Sequence, residues 1–338
     1  MKKIIIIGAG LTGLYTAYLL KNKYEVTIIE ARNRIGGRIL TQDGHDLGPS
    51  WVWSHQKNIL ALIRSFNLEL FSQYSYGLAL YQTPNTIERF TPAPSAPQAR
   101  LVGGITSLIQ AIVNELDGVK IILNEEVSVI ENIEEAHKTS IKISTKKEIY
   151  VADRVIMTLP PRVALNVDYR PTLDDKSIKV LRQTPTWMGH SRKCVIEFKT
   201  PFWRETGLSG FCFSPKGVLG EIHDATTQEK AALFGFVNST VDDKDIEQRV
   251  IHQLVKLFGE EVKSYTNFYD VSWRDDGYSA VKEDRSMKEH PKYGYEISAY
   301  SDRLHFLSTE SSFEGGGYLE GSIIVAKEMA KKLWFCDA

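Results

Sequence analysis

The first twenty residues, MKKIIIIGAGLTGLYTAYLL, constrain the fold more than any other segment. Four consecutive isoleucines predict a strand over Lys3–Ile7 that is buried on both faces, as a central parallel strand is. A glycine-rich turn then leads into a predicted helix over Leu11–Leu20. Residues 24–29 (YEVTII) predict a second strand, which ends at Glu30. A strand, a G-x-G-x-x-G turn, a helix and a strand ending in an acid together predict a dinucleotide site.

The residue types in this turn suit the chemistry of such a site. Gly8 makes the tight turn, Gly10 lets the backbone approach a pyrophosphate, and Gly13 allows the helix to pack closely on the strand. The helix start presents unpaired N–H groups and a positive dipole end to the phosphates. Glu30 can accept hydrogen bonds from two ribose hydroxyls. The residues predicted to surround the pyrophosphate are Gly8, Gly10, Leu11, Thr12 and Gly13.

Composition narrows the class of protein further. The 338 residues correspond to about two domains, and 41 Lys and Arg against 42 Asp and Glu give a net charge of −1. Such a chain has no basic field for nucleic acid, and we expect no nucleic-acid partner, no membrane span and a cytoplasmic location. Three cysteines and eight histidines without metal-ligand spacing predict no metal site. A secretory signal peptide is the alternative interpretation of residues 1–20.

The segment after Glu30 distinguishes FAD from NAD. It carries a second glycine pair followed by an arginine, which a nicotinamide site does not need. FAD does need them, because its pyrophosphate and ribityl chain run on past the first helix. The additional residues predicted to bind FAD are Ala31, Arg32, Gly36, Gly37 and Arg38.

These motifs, GAGLTGL and IIEARNRIGGRI, resemble the FAD-binding opening of the flavin-containing amine oxidoreductases, the monoamine oxidase family. Residues 46–51 (DLGPSW) resemble the family's DLGxxW segment near the flavin ring, although a plain loop is the alternative. The C-terminal STE and GYLEG segments are similar to its GTE and GYxEGA signature. The resemblance implies that further cofactor contacts come from Gly48, Pro49, Ser50, Trp51, Val127, Trp273, Glu310, Gly317, Tyr318 and Leu319.

Two side chains are implied to take part in catalysis. The pattern of Gly189, Lys193 and the following PFW resembles the family segment whose lysine hydrogen-bonds a water near flavin N5 and is implicated in reoxidation by oxygen. A solvated strand-edge lysine is the alternative. Tyr318 matches a position where the family places an aromatic side chain in front of the flavin; a packing tyrosine is the alternative.

The chain also departs from the family pattern. The stretch from Gly48 to Gly103 is short, and residues 83–97 (TPNTIERFTPAPSAP) predict a proline-rich loop where larger relatives have a helical cover over the substrate. After Tyr278 the sequence SAVKEDRS lacks the cysteine that monoamine oxidases bond to flavin. We therefore expect a reduced substrate domain and non-covalent FAD.

The sequence predicts an α/β protein in which a substrate domain is inserted into a doubly wound, Rossmann-type FAD domain. Residues 1–70, 100–165 and 290–338 are expected to form the FAD domain, and residues 71–99 and 166–289 a smaller α+β substrate domain. The expected reaction is oxidation of an amine or amino acid: hydride passes from the C–N carbon to flavin N5, the imine is hydrolysed, and oxygen reoxidises the flavin. The alternatives are a desaturase acting on a C–C bond of an apolar substrate and a flavin-binding scaffold.

Overall fold

The computed structural model describes residues 1–94, 96–135, 138–242, 244–286 and 289–336. The helices within these ranges are α1 Leu11–Leu20, α2 Lys57–Ser65, α3 Thr106–Asn114, α4 Pro161–Ala164, α5 Asp175–Gln183, α6 Phe202–Glu205, α7 Ile246–Phe258 and α8 Leu319–Cys336. The strands are β1 Lys3–Ile7, β2 Glu25–Ile29, β3 Thr41–Gln42, β4 His45–Asp46, β5 Val52–Trp53, β6 Leu70–Ser72, β7 Leu78–Gln82, β8 Ile87–Phe90, β9 Gln98–Leu101, β10 Lys120–Ile122, β11 Val127–Glu135, β12 Lys138–Thr145, β13 Ile149–Ala152, β14 Arg154–Met157, β15 Asp168–Arg170, β16 Arg192–Phe198, β17 Leu208–Phe213, β18 Leu219–Asp224, β19 Ala231–Val237, β20 Asn267–Ser272, β21 Ile297–Ala299 and β22 Leu304–Phe306.

β1, the strand of the predicted strand–turn–helix, lies inside a six-stranded sheet with the order β10-β2-β1-β14-β22-β21. β1 is parallel to both β2 and β14, and only the edge strand β21 is antiparallel to its neighbour. The four isoleucines of β1 are buried because both faces of this sheet are covered. β22 and β21 come from near the C-terminus, so distant parts of the chain complete one sheet.

Two different layers cover the six-stranded sheet. On one face α1 packs with α3 and α8, and almost every residue of α1 is buried because it lies between the sheet and the other helices. On the other face lie α4, α5 and a four-stranded sheet with the order β13-β12-β11-β15. The structure is therefore of the mixed α/β class that the sequence predicts.

A seven-stranded sheet with the order β20-β16-β19-β18-β17-β7-β8 forms the second large layer. One of its faces packs on α7 through an apolar cluster that includes Cys194, Ile196 and Leu254. Its other face carries Val195 and Phe234, which pack with Leu47 from the loop after β4. This second face therefore looks toward the glycine-rich loops of the six-stranded sheet.

The prediction of a loop over residues 83–97 is partly wrong. Residues 87–90 form β8, which pairs antiparallel with β7 at the edge of the seven-stranded sheet. The prolines that suggested a loop all lie outside β8, where they do not interrupt its ladder. No helix in the described part of the chain is both long and apolar enough to cross a membrane.

Candidate functional site

A cavity of about 540 Å³ lies where the carboxyl ends of β1 and β2 face the seven-stranded sheet. Most of the sequence-predicted site residues line it. They are Gly8, Gly10, Leu11, Thr12, Glu30, Arg32, Gly36, Gly37, Arg38, Gly48, Pro49, Ser50, Trp51, Lys193, Trp273, Gly317, Tyr318 and Leu319.

Four of the predicted residues are not among those that line the cavity. Gly13 lies behind the turn, where a Cβ atom would overlap the carbonyl oxygen of Gly8. Glu310 is buried and reaches the site through Arg38. Ala31 and Val127 do not line the cavity, and Val127 packs in the apolar cluster between the six-stranded and the four-stranded sheet. Direct contact of these two residues with a cofactor stays a prediction.

The turn between β1 and α1 fits a dinucleotide. A Cβ atom built on Gly10 would meet no protein atom within 4 Å, although the residue lines the cavity. The space that this backbone leaves is on the cavity side, where a pyrophosphate would approach it. The first N–H groups of α1 open on the same space, because no side chain caps this helix.

Glu30 is held at the cavity wall by backbone hydrogen bonds. Its Oε2 accepts from the N–H of Ala9 at 2.8 Å, and its Oε1 accepts from the N–H of Arg32 at 2.9 Å. Arg32 Nη1 also donates to Oε1, at 3.5 Å. A carboxylate oxygen has two lone-pair sites, so Oε2 can accept one more bond. This geometry fits an acid that receives a ribose hydroxyl.

Two arginines next to the glycine pair tie distant segments to the cavity. Arg32 donates from Nη2 to Asp276 Oδ2 at 2.7 Å and to Ser279 Oγ at 2.8 Å. Arg38 donates to both carboxylate oxygens of Glu310, at 2.6 and 3.2 Å. Burial disfavours the charge of Arg38, but Glu310 outweighs this effect and raises the pKa of Arg38. These ion pairs thus attach the loop after β2 to the segments that contain Asp276 and Glu310.

Lys193 is 1% exposed and faces the cavity from β16. Its Nζ donates to the carbonyl oxygen of Gly48 at 2.9 Å and to Ser50 Oγ at 2.6 Å, and lies 4.2 Å from the centre of the Phe234 ring. Of the three N–H bonds of an ammonium, these contacts use two. One donor therefore remains for a water or a ligand.

The surroundings of Lys193 lower its pKa to about 7. Burial is the main cause, since it disfavours the charged form; Asp46 opposes it and Arg100 adds to it. Asp46 Oδ2 and Arg100 Nε are themselves buried without a hydrogen-bond partner among the described residues. Lys193 is thus a buried amine that changes charge near neutral pH, which is typical of a functional group.

The loop over residues 47–51 is fixed from two sides. Besides Lys193, Trp273 binds it: the indole Nε1 donates to the carbonyl oxygen of Leu47 at 2.9 Å. Trp51 Nε1 donates to Gln73 Oε1 at 2.8 Å. These bonds hold Gly48, Pro49 and Ser50 at the cavity wall.

Aromatic rings surround Tyr318 at the other end of the cavity. The ring of Tyr318 stacks on His290 at 5.0 Å and lies 5.6 Å from Trp53 and 6.3 Å from Trp187. Burial raises the pKa of Tyr318, so its hydroxyl stays protonated. This end of the cavity offers an apolar, water-excluding surface with few polar groups.

The sequence-based prediction missed several lining residues: Trp53, Trp187, Glu221, Phe234, Phe236, Tyr278 and Ser279. Alternation was a usable signal for some of them, because residues two apart on a strand share a face. Phe234 and Phe236 on β19 are such a pair. Trp187 carried no signal, because it lies in an irregular segment whose position depends on the rest of the fold.

Comparison with known proteins identifies related sequences. The profile of the family described as flavin containing amine oxidoreductase matches residues 89–333, and that of the NAD(P)-binding Rossmann-like domain matches residues 6–66. The chain is 26% identical over 253 residues to a probable flavin-containing monoamine oxidase A of Dictyostelium discoideum. That alignment covers 70% of this chain and 54% of the relative, so the chain spans about half the length of such curated relatives.

Another relative aligns along nearly its whole length. An L-amino acid dehydrogenase of Synechocystis sp. is 23% identical over 452 aligned positions, which cover 97% of this chain and 94% of that protein. Because the alignment is longer than the 338 residues of this chain, the chain lacks internal segments that the relative has.

Solved structures share the fold. Cyclohexylamine oxidase from Brevibacterium oxydans superimposes with a TM-score of 0.82, covering 98% of this chain and 99% of that chain at 18% identity. Putrescine oxidase bound to putrescine gives a TM-score of 0.80 at 18% identity, with 98% of each chain covered.

Proposed function

The chain belongs to the flavin-containing amine oxidoreductase family, and on that premise we propose that it is an FAD-dependent oxidase of an amine or amino acid. The observation that carries the proposal is a dinucleotide-binding turn and a buried, pKa-lowered lysine in the walls of one cavity. The similar curated proteins include monoamine oxidases, which supports the reaction class.

The residues present fit FAD as the bound flavin. The β1–α1 turn would hold the pyrophosphate, Glu30 the ribose of the adenosine half, and the Lys193 side of the cavity the flavin ring. FAD supplies the acceptor for the hydride that leaves the C–N carbon of the substrate. We propose that it is held non-covalently, since Cys194 and Cys212 pack in the apolar cluster beneath α7 and Cys336 is exposed. None of the three lines the cavity.

Two side chains would act on the reacting groups. Lys193 would hold a water through the donor that Gly48 and Ser50 leave unused. Tyr318, stacked on His290 and next to Trp53, would orient the substrate nitrogen and exclude bulk water. An amine in such a surrounding loses hydration of its charged form, which favours the neutral, reactive form.

Anaerobic reduction of the flavin tests the proposal. A panel of primary amines, secondary amines and amino acids is mixed with the FAD-loaded protein without oxygen, and the flavin absorbance is followed. We expect at least one of these compounds to bleach the flavin, and admission of air to restore the colour. If dithionite reduces the flavin but no compound of the panel does, the protein is not an amine oxidase.

Other aspects of the prediction remain proposals. We propose oxygen as the electron acceptor, the division of the chain into an FAD domain and an inserted substrate domain, and a cytoplasmic location. The recovery of colour in air tests the first of these, and limited proteolysis with and without FAD tests the second.

A further inference from the structure

A turn of three consecutive glycines, residues 315–317, comes immediately before Tyr318. Gly315 and Gly317 both have positive φ angles, +61° and +81°, a conformation that glycine adopts more readily than other residues. A run of glycines leaves the backbone many conformations, so by itself it does not determine where the next side chain points. The direction of the Tyr318 ring at the cavity therefore depends on contacts from other segments.

Aromatic side chains from two other segments pack directly against the 315–317 turn. A Cβ atom built on Gly316 would lie 2.5 Å from the Cβ atom of Tyr293. One built on Gly317 would lie 2.8 Å from the Cβ atom of Trp187. The Tyr293 hydroxyl also donates to the carbonyl oxygen of Pro185 at 2.8 Å. The two aromatic segments are thus joined to each other and lie in the space that the glycines leave.

His290 lies at the centre of these contacts. Its ring centre is 5.0 Å from that of Tyr318, and the two ring planes are only 4° apart. The same ring lies 4.6 Å from Trp187 and 5.3 Å from Tyr293. His290 Nε2 donates to the carbonyl oxygen of Gly316 at 3.1 Å, since a carbonyl oxygen can only accept. One side chain thus contacts the turn, the ring that follows it and both rings that pack against it.

His290 contacts these rings from outside the cavity. Trp187 and Tyr318 are among the residues that line the cavity, whereas His290 is not, and it is exposed to solvent. A ligand in the cavity would therefore contact Trp187 and Tyr318 but not His290. Any effect of His290 on a ligand must then be exerted through these two rings.

From these contacts we infer that His290 is a positioning residue, whose ring fixes the orientation of Tyr318 and Trp187 in the cavity wall. The inference rests on the proposed function, in which Tyr318 orients the substrate nitrogen. Small errors in the placement of reacting groups slow a reaction strongly, because the productive geometry has to be reached first. Removal of the His290 ring should therefore slow the reaction more than it weakens binding, since Tyr318 and Trp187 both remain.

Flavin reduction without oxygen measures these two effects separately. The FAD-loaded protein is mixed with increasing concentrations of an amine that the panel identifies, and the bleaching gives the Kd of the amine and the limiting rate of reduction. His290→Ala should lower the limiting rate roughly 10- to 100-fold and raise the Kd by less. His252→Ala, which removes an exposed histidine of α7 outside the cavity, should match the wild type. An unchanged limiting rate in His290→Ala would overturn the inference.

Two further variants separate the His290 ring from its N–H group. His290→Phe keeps a ring for the stack but cannot donate to Gly316, and it should restore most of the rate lost in His290→Ala. His290→Gln keeps a donor without a ring, and it should be as slow as His290→Ala. This pair also answers the question if the His290→Ala protein does not fold. A His290→Phe protein that is no faster than His290→Gln would refute positioning through the ring.

Two measurements distinguish positioning from a general loss of structure. FAD would be held mainly by the β1–α1 turn and Glu30, so its affinity should change little in His290→Ala. Oxygen should reoxidise the dithionite-reduced flavin at the wild-type rate, because no amine takes part in this step. A fall in FAD affinity, reoxidation rate and limiting rate by similar factors would indicate a structural role and contradict the inference.

A probe that cannot form an imine separates this inference from the proposed function. Benzyltrimethylammonium has no hydrogen on its nitrogen, and calorimetry measures its binding to the FAD-loaded protein. We expect His290→Ala to weaken this binding roughly two- to fivefold, the usual worth of a contact between a cation and a ring. If no amine reduces the flavin but the probe binds more weakly to His290→Ala than to His252→Ala, the positioning role stands and the oxidase proposal fails. If amines reduce the wild type and His290→Ala at the same limiting rate, the oxidase proposal stands and the inference fails.

Discussion

Because of Lys193, we expect the free energy of unfolding of the protein to rise with pH. Its pKa is lowered to about 7 in the folded protein from 10.5. Between these values the unfolded chain binds a proton that the folded chain does not, so the free energy of unfolding rises with pH through this window. Below about pH 7 both states are protonated, and the cost of burying the charge is present in full.

We therefore expect Lys193→Met to flatten this dependence. The wild-type protein should gain about 1 kcal/mol of stability per pH unit above pH 7 relative to the variant, because one proton is released on folding. Urea unfolding of both proteins from pH 6 to pH 9 measures the difference. Parallel curves for the two proteins would show that Lys193 keeps an ordinary pKa.

At the scale of single residues, the sequence predicted which side chains line the cavity better than where they point. The pattern around Lys193 selected a lysine that lies in the cavity wall, but alternation could not say which face of β16 it occupies. That face depends on the position of the 47–51 loop, which is set by Trp273 and by the lysine itself. Glu221 gave no recognisable signal, because a lone acid on an alternating strand is usually solvated.

At the scale of elements, the glycines of the β1–α1 turn serve two different purposes, packing of the fold and space for a ligand. Gly13 is needed by the fold, because a side chain there would overlap the backbone of Gly8. Gly10 is not needed by the protein's own packing, because a Cβ atom there meets nothing within 4 Å. We propose that the open space beside Gly10 receives the pyrophosphate of the cofactor.

A pair of alanine variants tests this distinction. Gly13→Ala should lower the free energy of unfolding by about 1–3 kcal/mol, the usual cost of overpacking. Gly10→Ala should leave stability unchanged and weaken FAD binding roughly tenfold or more, since its methyl group takes space next to the pyrophosphate. Urea unfolding without FAD and a fluorescence titration with FAD give the two quantities. Normal FAD affinity of the Gly10→Ala protein would show that the pyrophosphate does not bind next to Gly10.

Regular elements of this kind were readily predicted, because β1 and α1 are specified by local pattern and buried on all sides. β8 was not, since it is an edge strand whose residues are all exposed and whose flanking prolines suggest a loop. Its only partner in the sheet order is β7, and such a strand forms because that neighbour offers free hydrogen-bonding groups. A sequence pattern does not contain that information.

At the scale of the whole molecule, the Arg32–Asp276 ion pair joins the loop after β2 to a segment next to the seven-stranded sheet. Arg32 also lies 5.3 Å from the centre of the Tyr278 ring, and both residues line the cavity. We expect entry and loss of the cofactor to disturb these contacts, because Arg32 and Tyr278 lie in the cavity wall. The pair is thus placed to slow the release of FAD.

Asp276→Asn should therefore release FAD faster, by roughly tenfold, because the ion pair is partly buried. The rate is followed by the rise of flavin fluorescence after dilution. Asp242→Asn is the matched control, since it breaks an exposed Arg–Asp pair with Arg249 away from the cavity. Equal release rates for the two variants would show that the Arg32–Asp276 contact does not retain the cofactor.

The assembly of the six-stranded sheet from distant parts of the chain has a consequence for synthesis on the ribosome. β1 and α1 leave the ribosome before β22 and α8, which complete their sheet and cover α1 and which follow some three hundred residues later. Until β22 and α8 have been synthesised, the nascent chain exposes an apolar helix and an unpaired strand edge. Both are prone to aggregation. We expect that the cofactor cannot protect this segment early, because Gly317, Tyr318 and Leu319 of the cavity wall are translated long after it.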